Sequence, residues 1–439
     1  MFPDSDSRSA ELNRRAASVL AGGGSRSTIR TNPYTLYLRE AVGAEVVDVD
    51  GNRIVDFINN YTSLIHGHAY PPIVEAVKKQ LADGSAFSFC HESEIQLAEL
   101  LCSRVDAFER IRFMNSGTEA VMNAIKAARA YTGRAKIAKC DGIYHGSYDY
   151  AEVSLSSGPD DWSAEDPVAK AYSRGTPQGA LDDVVVIPFN EPQHAQRILE
   201  RHADELSCIM IDTSPMRLGS NLVRQDYLAT LSDVAQKHGI LLVFDEVISF
   251  RLGYAGSQGL LGVSPDITAL GKIMGGGFPV GAIAGRADVM SVFDAGDDGI
   301  ARLPHGGTFN ANPITMVAGL AAMTDMPREA FDDLNALGDR TRQVLTEVFV
   351  DLGIAGQVTG EGSLFRIHLH DRPIVTVQDT APGSGELAAT VELRSQLIDD
   401  GFFLGAGLMG CLSTVTTQDH VERLAGALRS RLPDIVRAL

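Results

Sequence analysis

The chain has 439 residues, with 38 Lys+Arg against 56 Asp+Glu for a formal charge of −18, and 44% of it is hydrophobic. At roughly 150 residues per domain it holds two or three domains with a sizeable buried core, and its acidic field argues against nucleic acid or anionic membrane as partners. The five cysteines, Cys90, Cys102, Cys140, Cys208 and Cys411, make no CxxC pair, which excludes a disulfide framework and fits a reducing cytosol.

The N-terminal MFPDSDSRSAELNRR is polar, and no run approaches the roughly 18 consecutive apolar residues of a membrane span. A cytoplasmic protein is expected. ELNRRAASVL reads as one short helix in an arm. Between residues 35 and 58, TLYLREA, EVVDVDG and RIVDFIN, broken by Gly43 and by Asp50-Gly51, read as an antiparallel meander. From Pro72 onward, helical patterns alternate with the apolar strands RIRFMN, KIAKC, VVVIPF, SCIMIDT, ILLVFDE and PVGAIAG. That alternation predicts βαβ units around a mostly parallel sheet. Residues 156–181, with the single tryptophan Trp162, read as a long loop. DYLATLSDVAQKHG reads as a helix with Asp226 as its cap and Gly239 as its stop. After residue 312 come a long helix, QVTGEGSLFRIHLH, the helix ELAATVELRSQLIDDG, the strand FFLG and a last helix from Thr417. The expected division is an arm with small-domain strands at 1–65, a large domain at 66–311 and a C-terminal α+β domain at 312–439.

Three segments carry chemistry. Asn115-Ser116-Gly117-Thr118-Glu119 follows a strand and opens a helix whose apolar face is Val121, Ala124, Ile125 and Ala128. Ser116 with Glu119 makes a capping box. With Gly117 lacking a side chain, Ser116, Thr118 and the free N–H groups of the first turn also suit a phosphate. Asp245 ends the strand ILLVF at the sheet edge where open α/β folds place ligands. It is either a structural carboxylate or an acid that keeps a ring nitrogen protonated. Lys272 lies 27 residues later between TALG and IMGGG; most lysines are solvated, but apolar neighbours favour the neutral amine that can act as a nucleophile. The GxGxxG at Gly405, Gly407 and Gly410 has too little chain after it for a nucleotide-binding βαβ unit. His66, His68, His368 and His370 lack supporting ligands, so no metal is expected.

A phosphate cradle, an acid at a strand end and a glycine-flanked lysine, in that order, are the needs of a pyridoxal 5'-phosphate enzyme. The chain resembles the class III aminotransferases of fold type I, in the branch of glutamate-1-semialdehyde aminomutase and the β-amino-acid transaminases. FMNSGTEAVMNAIKAAR, DGIYHGSYD, LLVFDEVISFR, PDITALGKIMGGGFPVGAIAGR and GGTFNANP carry the resemblance. It implies an α/β fold with a mostly parallel central sheet and a smaller α+β domain built from the N- and C-terminal parts. Ser116, Gly117 and Thr118 would take the phosphate, Tyr144 would lie on the pyridine ring with His145 beside it, and Asp245 would pair with the ring nitrogen. Val247 would pack on the other ring face, and Lys272 would hold the cofactor as a Schiff base and carry the proton. Thr308 would reach the phosphate of a neighbouring subunit, which implies a homodimer with shared sites.

The implied activity is amino transfer from an amino acid, β-amino acids included, or an amine to a keto acid. The rivals are the aminomutase isomerisation and a catalytically inactive relative. Two departures bear on substrate. Relatives carry a Glu-Pro pair where this chain has Ile211-Asp212-Thr213-Ser214-Pro215, and residues 407–411 (GLMGC) have neither the acid of the aminomutases nor the arginine of some β-amino-acid transaminases. Gly24-Ser25-Arg26-Ser27 stands where β-amino-acid transaminases carry a similar Ser-Arg-Ser, so Arg26 is the expected substrate-carboxylate contact.

Overall fold

The computed structural model describes residues 2–158, 161 and 165–437, so Trp162 of the expected loop lies outside the described residues. The chain divides into two compact units. The first comprises Met1–Pro71, Asp332–Arg372 and Pro382–Leu439; the second comprises Pro72–Phe331 and Pro373–Ala381.

In the first unit β1 (Leu38–Val42), β2 (Glu45–Asp48) and β3 (Arg53–Asp56) form the expected antiparallel meander. Its two turns are glycine turns, with Gly43 at φ +61° and Gly51 at φ +91°, a region closed to most side chains.

The second unit holds a seven-stranded sheet of β4 (Arg110–Met114), β5 (Lys136–Cys140), β6 (Val184–Ile187), β7 (Leu206–Ile211), β8 (Leu241–Asp245), β9 (Ile267–Gly271) and β10 (Gly281–Gly285), in the order β4-β10-β9-β8-β7-β5-β6. β10 runs antiparallel to both its neighbours and the other pairings are parallel. β7 is buried along its whole length, as a strand covered on both faces must be. Its alternate residues serve opposite layers. Cys208 and Met210 pack with Val121, Ala124, Ile125 and Ala128 of the helix Gly117–Thr132, while Ile209 and Ile211 pack with Leu199 and Leu231 from the helices Pro192–Arg201 and Gln225–His238. Truncating a side chain such as Ile125, wholly inaccessible to solvent, costs about 2–5 kcal/mol.

The remaining strands belong to the first unit. β11 (Gln357–Thr359), β12 (Leu364–His368) and β14 (Met409–Cys411) form an antiparallel sheet in the order β11-β12-β14, and β13 (Phe402–Phe403) adds to the N-terminal meander beside β3, pairing Phe402 with Val55. The small α+β unit is thus knitted from both ends of the chain.

Three expectations are corrected. The second unit runs to Phe331 rather than 311, because the helix Pro313–Thr324 packs on Glu92–Cys102 and on the turn Lys272–Gly275. That contact is so close that a Cβ on Gly319 would sit 2.2 Å from the carbonyl oxygen of Met274. The first boundary falls after Pro71, not at 65. Arg224, not Asp226, is the N-cap of Gln225–His238, and no side chain caps it; Asp226 Oδ1 accepts from Tyr227 N at 2.9 Å, while Gly239 ends the helix at φ +61° as expected.

Candidate active site

Strand order brings the carboxyl ends of β4, β5, β7, β8 and β9 to one edge of the second unit's sheet, the edge at which open α/β folds take ligands. Ser116, Asp212, Asp245 and Lys272 each follow or end one of these strands, and Tyr144 and His145 lie in the connection after β5.

Ser116 caps the helix Gly117–Thr132, its Oγ accepting from Glu119 N at 3.1 Å. Glu119 Oε2 reaches back to Asn115 N at 2.8 Å, one residue beyond an ordinary capping box. The N–H groups of Gly117 and Thr118 lie in the first turn, where helix geometry gives them no intrahelical acceptor. A Cβ on Gly117 would lie 2.8 Å from Val247 Cγ1, and one on Gly281 would lie 2.0 Å from the Ser116 carbonyl oxygen. Glycine at both positions therefore lets the turn at the helix start sit on β10 and against Val247. Thr118 Oγ1 accepts from Ser147 N at 3.2 Å, which ties this turn to the segment bearing Tyr144 and His145.

Asp245 and His145 are both buried, and Oδ2 of the acid meets Nδ1 of the ring at 2.8 Å. The other carboxylate oxygen accepts from Val247 N at 3.1 Å. Burial lowers the His145 pKa despite the opposing effect of Asp245. Among the described residues the buried His145 Nε2 has no hydrogen-bond partner. The tyrosine ring of Tyr144, by contrast, is 52% exposed.

Lys272 follows β9 directly, half-buried, at φ +50°. A non-glycine residue pays of order 1 kcal/mol or more in that region, and such strain persists only where the surroundings enforce it. Gly276, at φ +58°, closes the turn so tightly that a Cβ would be 2.4 Å from the Ala318 carbonyl oxygen. Val247 bridges the parts, lying against both Gly117 and Gly271.

Thr308 is exposed on a segment fixed from beneath. Asn115 Nδ2 donates to Asn310 Oδ1 at 2.7 Å, and Arg112 donates to His305 Nδ1 at 2.9 Å and to its carbonyl at 3.0 Å. Arg26 belongs to the other compact unit, where its Nη1 donates to Asn60 Oδ1 at 2.7 Å. Asn60 lies in a run of four consecutive left-handed residues, Asn59 to Thr62, with φ between +47° and +70°.

Sequence reasoning missed three features. β9 reads in sequence as an apolar flank of Lys272, although ITAL shortly after Pro265 is a usable strand signal. The Asn115–Asn310 link has no local signature. Glu246, fully buried, accepts from Ser257 N and Gln258 N at 2.9 Å and from Gln258 Nε2 at 3.1 Å, and burial pushes it up to about 7. Asp212, which the sequence marks as a departure from the family's Glu-Pro pair, is nearly as buried as Asp245 and accepts from Ser214 N at 2.9 Å.

The histidine pairs have structural partners: His68 with Asp56 at 2.8 Å, His66 with Thr414 at 3.1 Å and His368 with Thr359 at 2.8 Å. Among the described residues no group of three His, Cys, Asp or Glu is placed to hold a metal ion. No helix there is long and apolar enough to cross a membrane.

A mostly parallel sheet with a helix N-terminus, an acid and a lysine on its carboxyl edge defines a pyridoxal-phosphate enzyme of fold type I. The family model of the class III aminotransferases matches residues 27–406, and the chain belongs to that family. It is similar to the glutamate-1-semialdehyde 2,1-aminomutase of Methanothermobacter thermautotrophicus, at 35% identity over 94% of this chain and 96% of that one. Among solved structures, an omega-transaminase from Sphaerobacter thermophilus superposes with a TM-score of 0.95 at 50% identity over 99% of both chains. A β-phenylalanine aminotransferase from Variovorax paradoxus does so with 0.88 at 32% identity over 99% of this chain and 96% of that one. The cofactor is pyridoxal 5'-phosphate.

Proposed function

We propose that this enzyme is an aminotransferase, moving the amino group of an amino acid, β-amino acids included, or of an amine onto a keto acid. The observation that carries this reading is the 50% identity to an omega-transaminase over 99% of both chains. The acid-free segment GLMGC supports it.

The residues fit the cofactor: the turn at Gly117 has no room for a side chain, two first-turn N–H groups await an anion, and a buried acid faces the same edge. In this reading Ser116, Gly117 and Thr118 hold the phosphate, Asp245 holds the ring nitrogen, and Tyr144 and Val247 flank the ring. Bound there, pyridoxal phosphate supplies an aldehyde for the amine and a cationic ring that draws electrons from the substrate carbon. His145 fixes the orientation of Asp245. Lys272 would hold the cofactor aldehyde and, as a free amine, would hold and move the proton at the substrate carbon through its Nζ. Arg26 takes the substrate carboxylate. Thr308, presented outward with its neighbour Phe309 at 60% exposure, reaches a second copy's phosphate, so the working form is a homodimer. Sedimentation checks this: an active monomer contradicts it.

A second reading, aminomutase, is favoured by the names of the 31–36% identical relatives. The reading is tested by screening amino donors against pyruvate and 2-oxoglutarate, with Lys272→Ala as the blank. Acceptor-dependent product in the wild type alone is expected; no product with any donor would overturn it.

A further inference from the structure

The parallel register pairs Ile211 of β7 with Phe244 of β8. The next residues on the two strands are therefore Asp212 and Asp245, side by side on one face of the sheet, with adjacent strands about 4.8 Å apart. On the other side of β7, Lys139 pairs with Met210, so Asp141 stands two residues further on, level with Asp212. All three carboxyls are buried. Like charges so close in a low-dielectric setting do not both ionise, and the hydrogen bonds decide which acid keeps its proton. Both oxygens of Asp245 accept, one from His145 Nδ1 and one from Val247 N. Asp212 accepts from Ser214 N through Oδ1.

We propose that Asp212 is a positioning residue that stands in the folded protein as the neutral acid, carrying the proton while its neighbour Asp245 carries the charge. A single anion then faces the cofactor ring, and Asp212 offers a hydrogen-bond donor where a second carboxylate would compete for the ring's positive charge. The consequence for the ring rests on the assignment of Asp245 above; the protonation state does not. The groups that bear on Asp212 are Asp245 and Glu246 from β8 and the turn after it, Lys272 after β9 and the Ser214 N–H, and the register places Asp141 after β5 level with it. Burial first, then Asp245, raise its pKa to about 8, against the opposing effects of Ser214 and Lys272.

The test uses the full-length chain freed of cofactor, so it is independent of whether amino transfer is found. If Asp212 keeps its proton on folding, the native state holds one that the unfolded chain releases above its ordinary 3.8, and the contribution of Asp212 to wild-type stability falls as pH rises from about 4 to about 8. Asp212→Asn cannot lose that proton. The ratio of its folding constant to that of the wild type, from urea unfolding, should climb by up to about tenfold per pH unit across this window and level off above it. A flat ratio overturns the proposal. Should the variant not fold, wild-type protein labelled with carbon-13 at aspartate carboxyls, which leaves Glu246 silent, must show an aspartate titrating near pH 8. Aspartates that all ionise in the ordinary range likewise overturn it.

Discussion

His145 and Asp245, 100 residues apart in the chain, meet at 2.8 Å between Nδ1 and Oδ2 with both side chains almost wholly buried. A hydrogen bond to a charged partner contributes about 1.5–3 kcal/mol. His145→Ala should therefore weaken cofactor binding by roughly tenfold to a hundredfold, read by titrating the apoprotein with pyridoxal phosphate. His145→Asn, whose amide can replace the Nδ1 donor, should recover part of the loss. Equal loss in both variants would mean that the ring acts by packing alone.

Gly117 and Val247 are coupled by contact. Gly117→Ala places a Cβ 2.8 Å from Val247 Cγ1 and should destabilise the protein by about 1–3 kcal/mol, the usual range for overpacking. Adding Val247→Ala opens the space, so the double variant should be more stable than the sum of the single changes predicts. Strict additivity in urea midpoints would show that the two do not press on each other.

Arg26 is expected to act on substrate rather than on turnover. Arg26→Ala and Arg26→Lys should each raise KM for carboxylate-bearing donors by the equivalent of about 1.5–3 kcal/mol, since lysine cannot form the bidentate fork, and barely alter a simple amine. Equal effects on both donor types would assign Arg26 to holding Asn60 and its left-handed turn.

Cys140 and Cys208 are fully buried, and burial pushes both thiols up to about 12. At pH 8 only about one molecule in ten thousand carries the thiolate at either position. An alkylating reagent followed by peptide mapping should leave both unlabelled, with the buried Cys411, until the protein is unfolded. Native labelling of Cys140 would contradict the packing around β5.

Much of this architecture is legible in sequence because β6 and, up to Asp245, β8 are continuous apolar runs, which only doubly covered strands require, and because the Ser116–Glu119 spacing marks a helix start. Residue type and spacing likewise marked Asp245 and Lys272. What stayed hidden depends on register. Nothing local to Asp212 shows that it stands beside Asp245, since strand pairing is set by packing across two layers. β9 was hidden by its ending in Gly271-Lys272, a signature of a loop whose left-handed lysine the tertiary structure enforces.

The central claim, amino transfer between two molecules, is tested most directly by supplying or withholding the acceptor. With an amino donor and no keto acid, the enzyme should convert about one donor per active site and stop; adding pyruvate or 2-oxoglutarate should restart turnover, with one amino acid formed per donor consumed. Glutamate 1-semialdehyde should not turn over unaided. Its sustained conversion to 5-aminolevulinate with no added acceptor would contradict the account and assign the enzyme as an aminomutase.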